Sequence, residues 1–248
     1  MSSPITLRSD VDQIPVAEQP ATTPPPRPQT WLLKVIQAVT GGVFACFVLF
    51  HLAGNLKVYL GRDDFNHYAH WLRTILNPLI PGDTVVWLLR LALLAALALH
   101  VYAGLTIWVR ARRARGAFGR RPVYTWHGAT GRAMIWTGLI LLCFIVFHLL
   151  DLTWGKMPVA SKEFNSASPY DNLIYSFERP IVAGFYILTM VLLALHLAHG
   201  LWSFINDLGA SAHRTRQVSK VVAAAVALVV VVGNMSMPIA VLAGVLTR

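Results

Sequence analysis

Five stretches of this chain are apolar enough, for long enough, to cross a lipid bilayer. Residues 35–56 and 133–150 contain no charge, the latter extended upstream by residues 125–131. Residues 84–109 contain only Arg90, and residues 180–206 and 221–247 contain none. The hydrocarbon core of a bilayer takes about 20 apolar residues per helix. A span must satisfy its own backbone hydrogen bonds there, which leaves helix as the conformation for runs this apolar. The sequence therefore predicts an all-α membrane protein, a bundle of five transmembrane helices. Composition agrees: 13 % of the residues are charged, against about 25 % in a soluble domain. That excludes an ordinary soluble enzyme. The 248 residues also leave no room beside five spans for a second globular domain of ordinary size.

Residues 1–30 hold seven of the fourteen prolines, three of them consecutive at Pro24, Pro25 and Pro26. Such a segment buries no core and is expected to be a disordered tail. It carries Asp10, Asp12 and Glu18 and no apolar centre, unlike a secretory signal. The domain proper is expected over residues 31–248.

A formal charge of +10 would fit a nucleic-acid binder, but its distribution fits membrane topology better, and no nucleic-acid partner is expected. The tail and loops on the N-terminal side of an odd-numbered bundle carry thirteen basic residues against four acidic. The two loops on the opposite side carry six against seven. The positive-inside rule places the N-terminus in the cytoplasm, as in a multi-pass protein of the bacterial inner membrane. The basic cluster at 110–121 is a topology signal or a site for anionic lipid.

The chemistry lies in the histidines. Of nine, five fall inside the charge-free stretches of the runs: His51, His100, His148 and His196, one on each of the first four spans, and His199, three residues after His196. An ionisable residue in a span is costly and marks function by default. Counting from the charged flanks puts the first four at two depths. His51 lies 17 residues after Lys34 and His148 lies 16 after Arg132. His100 lies 10 before Arg110 and His196 lies 11 before Asp207. The first pair shares a level in the outer half and the second a level in the inner half. Two bis-histidine pairs, one above the other, suit two haems stacked in a helix bundle. Gly104 and Gly200 each follow an inner histidine by four residues, on the same helix face. They leave flat space beside the ring, or serve close helix packing.

Other constellations fit less well. A zinc site wants three or four ligands at one point. Cys46 and Cys143 stand alone, with no CxxC or CxxCH, so neither a disulfide nor covalent haem attachment is expected. His199 competes with His196, but it is followed at the fourth position by Ser203 and lies nearer the cytoplasmic end; a haem propionate or the interface is its expected partner. Arg90 either snorkels to the outer surface or pairs with a propionate of the outer haem. The outer loop around Asn66 and His70 suits the cover of an interfacial site, and Asp151, three residues after His148, is placed to accept a proton near the outer haem. A solvated loop and a helix cap are the plain readings of the same residues. No Walker loop, GxGxxG fingerprint or Ser/His/Asp set is present. The chain therefore needs a soluble electron donor or acceptor as partner.

Along most of residues 31–243 the chain resembles the di-haem cytochrome b subunit of succinate:quinone oxidoreductases, the family of succinate dehydrogenases and menaquinol:fumarate reductases. The matching strings are Phe50-His51-Leu52 with Asn55, Phe65-Asn66 with Ala69-His70, His100 with Gly104, and Val146-Phe147-His148. The most specific is His196 with Gly200-Leu201-Trp202-Ser203-Phe204. The resemblance implies two haems b. His51 and His148 would ligate the distal one, and His100 and His196 the proximal one. It also implies a flavoprotein and an iron–sulfur subunit docked on the cytoplasmic face, and a quinone, menaquinone, bound in this subunit, with His70, Asn66 and Asp151 as the candidate quinone site. The dicarboxylate site would lie in the flavoprotein. Some fumarate reductases of the family carry a glutamate two residues before the fourth ligand; here Ala194 stands there, which favours succinate oxidation. The alternatives are the anchor of a fumarate reductase, hydrogenase or formate dehydrogenase, and a transporter with histidine relays and no haem.

Overall fold

The computed structural model describes residues 28–116, 126–207, 209 and 212–248. Most of the proline-rich tail, and Arg120 and Arg121 of the basic cluster, lie outside them. Seven α-helices follow in order: α1 (Thr30–Asn55), α2 (Arg62–Thr74), α3 (Thr84–Arg115), α4 (Trp126–His148), α5 (Pro169–Phe177), α6 (Pro180–Asp207) and α7 (His213–Leu242). A 3₁₀ turn over Leu56–Leu60 extends α1, and a π-helical turn over Leu149–Thr153 extends α4. Among the described residues five helices, α1, α3, α4, α6 and α7, are long and apolar enough to cross a membrane. The five apolar runs are these helices.

The boundaries differ from the runs for a physical reason. Helices do not stop where hydrophobicity stops. Thus α3 runs on through Arg110, Arg112 and Arg113 to Arg115, and α7 begins at His213, eight residues before the apolar run. Basic residues in the last turn of α3 also suit the negative end of the helix dipole.

Helices α1, α3, α4 and α6 form an up-and-down bundle. α1 packs on α3 and α6, α4 packs on α6, and α4 meets α3 only lightly, which closes the ring. α1 and α4 therefore face each other along one diagonal, and α3 and α6 along the other. α7 lies outside, along α6 and against α1. Its seam is filled by Ala45, Leu52, Leu197, Ala227 and Val230.

The end of the bundle where α1 begins is called here the near end. There Lys34 of α1 pairs with Asp207 of α6 at 3.3 Å, and Arg110 Nη1 donates to the Pro28 carbonyl at 2.8 Å. The far end is covered by α2 and α5, where the sequence reading expected loops. Asn66 joins them: the Tyr170 amide donates to its Oδ1 at 3.0 Å, and its Nδ2 donates to Ser168 Oγ at 3.1 Å. Arg62 and Asp171 form an ion pair between the same helices at 2.8 Å. A second core of Val58, Phe65, Phe144, Tyr170, Ile174, Phe177 and Tyr186 lies beneath this cover.

Candidate functional site

Four of the histidines on the spans meet in pairs across the diagonals of the bundle. His51 of α1 faces His148 of α4, with ring centres 6.0 Å apart and planes at 88°. His100 of α3 faces His196 of α6, with ring centres 6.4 Å apart and planes at 57°. His51 is exposed, and the other three are half-buried.

The near pair is held by a repeated device. Thr40 of α1 donates its hydroxyl hydrogen to the Ile36 carbonyl at 2.6 Å. Its oxygen lies 3.0 Å from His100 Nδ1. Thr137 of α4 donates to the Ala133 carbonyl at 3.1 Å, and its oxygen lies 3.0 Å from His196 Nδ1. A hydroxyl has one hydrogen, so each threonine oxygen is left to accept from the imidazole. That fixes the proton on Nδ1 and makes Nε2 the acceptor nitrogen, which in His100 meets the Gln37 amide nitrogen at 3.1 Å; it is the tautomer a metal-ligating histidine needs. The next residue on each helix is a glycine. A Cβ on Gly41 would lie 3.3 Å from His100 Cε1, and one on Gly138 would lie 3.4 Å from His196 Cε1. The bare backbone lets each ring lie close against the neighbouring helix.

The far pair is built differently. Phe47 stacks on His51 at 5.4 Å and Phe144 on His148 at 5.8 Å, each one turn before its histidine. The Tyr186 hydroxyl lies 3.4 Å from His148 Nδ1 and donates to Asp151 Oδ2 at 3.0 Å. Asp151 is 1 % exposed. The π-helical turn carries it inward, where Ser176 also donates to Oδ2 and Arg179 Nη2 reaches Oδ1 at 2.6 Å.

The two halves of the bundle carry the same separation between levels. His51 follows Thr40, and His148 follows Thr137, by eleven residues. At about 1.5 Å per residue the two pairs lie about 16 Å apart along the bundle.

Threonine and glycine were missed by reading the sequence, yet a signal was there. The string T-G-x4-C-F-x2-F-H-L occurs at 40–52 and again at 137–149, shifted by 97 residues. Leu97-Ala98-Leu99-His100 with Gly104-Leu105 recurs, shifted by 96, as Leu193-Ala194-Leu195-His196 with Gly200-Leu201. The α1–α3 half and the α4–α6 half are versions of one unit. In each, the first helix supplies a far histidine and the Thr-Gly seat, and the second supplies the near histidine.

The remaining predicted residues fall as follows. Gly104 faces the Gln37 amide, and a Cβ on Gly200 would meet nothing within 4 Å. His199 lies against Gly131 of α4 and beside Trp202. Arg90 is exposed, with its guanidinium 4.8 Å from the centre of the Trp87 ring. His70 is exposed on α2, and Asn66 binds α5.

The donor set fits a haem. A metal–imidazole bond is about 2 Å and the ring centre lies about 1 Å further, so two imidazoles on opposite faces of one iron have centres about 6 Å apart. Among the described residues no cluster of three or more His, Cys, Asp or Glu side chains converges. The donors come in twos and as neutral imidazoles, which suits a metal that brings its own equatorial ligands. At the near level the Gln37 amide nitrogen lies 3.1 Å from His100 Nε2, while Gln37 Oε1 is buried without a hydrogen-bond partner among the described residues. A buried amide oxygen left unsatisfied costs about 1–3 kcal/mol; this one lies against Gly104 of α3.

Compared with known proteins, the chain matches no family model, no curated protein and no solved structure.

Proposed function

We propose that this chain is the membrane-anchor cytochrome b subunit of a succinate dehydrogenase, binding two haems b and a quinone. The observation that carries the reading is the pair of imidazole sets, one on each diagonal of the bundle, at two levels. The haems, when bound, supply one-electron chemistry that no side chain here can perform. The chain's own part is to place four imidazoles in two facing pairs, to fix the tautomer of His100, His196 and His148 through their Nδ1 partners, and to set the polarity around them.

On this reading the near end faces the cytoplasm of a bacterium, because the basic excess lies there. The flavoprotein and iron–sulfur subunits dock at that end, and menaquinone is the expected quinone. Ala194, where some fumarate reductases of the resembled family carry glutamate, favours succinate oxidation as the working direction.

The test is a replacement series read by optical spectroscopy of the membrane-embedded complex. His100→Ala or His196→Ala removes one haem, and His51→Ala or His148→Ala removes the other. His199→Ala removes neither. A preparation in which all five variants keep the same haem content contradicts the assignment. A second reading, a histidine-relay proton channel, is favoured by the polar chain from His148 through Tyr186 to Asp151. A colourless protein that conducts protons in vesicles selects it.

A further inference from the structure

The near and far histidines are tied to different kinds of partner. Thr40 and Thr137 are neutral hydroxyls already bound to their own helix backbone. Tyr186 instead donates to a carboxylate, which makes its oxygen richer in electron density and a stronger acceptor for the Nδ1 hydrogen of His148. Asp151 pairs with Arg179 through one oxygen and accepts from Ser176 and Tyr186 at the other. Its side chain is 0 % exposed, so solvent does not screen it. His51 carries no counterpart of this arrangement in the repeat: the residue that matches Asp151, shifted by 97, is Gly54.

We propose that Asp151 is a positioning residue. Through the Tyr186 hydroxyl it orients the His148 imidazole and makes it a more basic ligand, which lowers the reduction potential of the far-level haem. The inference rests on the haem reading above. A carboxylate behind a histidine ligand raises its basicity. A more basic axial ligand stabilises ferric over ferrous iron. The negative charge of Asp151 acts in the same direction, and Arg179 opposes it in part. The near-level haem, seated on threonine, lies outside this influence.

The experiment is a redox titration of both haems in the intact complex, wild type against Tyr186→Phe and Asp151→Asn. The two components are assigned by which is lost when His100 or His148 is replaced. The proposal expects an upward shift of the far component in each variant, an unchanged near component, and a double variant whose shift falls short of the sum of the two single shifts. Tyr186→Phe keeps the ion pair intact and removes one oxygen, so it reports even if Asp151→Asn does not assemble. An unmoved far component in Tyr186→Phe overturns the proposal, as does an equal shift of both components. Two haems with unmoved potentials sink this inference and leave the haem reading standing. A wild type without haem sinks both.

Discussion

The hydroxyl of Thr137 decides which nitrogen of His196 faces the core. Its hydrogen is spent on the Ala133 carbonyl, so it presents only an acceptor to Nδ1. Thr137→Val keeps the shape and removes that acceptor. The fold should lose about 1 kcal/mol, the net worth of one hydrogen bond. Outer partners of metal ligands are worth about 10–100-fold in affinity, so the near-level haem should pass to a haem-scavenging competitor that much more readily. The far-level haem should be retained as in the wild type. At this scale the sequence discloses residues unevenly. The histidines stand out because an ionisable side chain in an apolar run is expensive. Thr40, Gly41, Thr137 and Gly138 do not stand out, because threonine and glycine are common in spans. Only the repeated string marks them. Asp151 was singled out for its nearness to His148, but its partners Arg179, Ser176 and Tyr186 come from other elements, and spacing along the chain cannot pair them.

Among the elements, the end of α4 shows how a local distortion makes a polar site. The π-helical turn over Leu149–Thr153 closes with the Trp154 amide on the Leu149 carbonyl at 2.8 Å. Such turns widen a helix by one residue and re-aim side chains. Here the turn brings Asp151 under α5, into the reach of Arg179. Removing one partner of a buried ion pair leaves an uncompensated charge and costs about 3–5 kcal/mol. Arg179→Leu should therefore lower the thermal midpoint of the detergent-solubilised protein markedly. Asp151→Leu combined with Arg179→Leu should recover part of that loss; a double variant worse than Arg179→Leu alone would show that the ion pair is not the source. The spans themselves were legible from hydropathy, since length and apolarity decide them. Helices α2 and α5 were not, because a run-length criterion passes over short, mixed segments such as Arg62–Thr74. The π-helical turn has no sequence preference to read.

For the whole molecule, two versions of one helical unit face each other, and the shared geometry yields two like sites at two depths. Counting from the charged flanks gave the two levels, because each residue of a helix advances a fixed rise. The diagonal placement was not legible: five spans of similar apolarity do not state their order around a bundle. It comes from the packing of α6 between α1 and α4, with α3 on the other side of α1. That arrangement separates the members of each histidine pair by the width of a metal with two axial ligands. The most direct test is the haem content of the purified complex, measured by a reduced-minus-oxidised spectrum and extraction of the pigment. The account predicts two non-covalent haems b per chain, both low-spin with bis-imidazole ligation. A protein without pigment, or one haem held by side chains other than these four histidines, would contradict it.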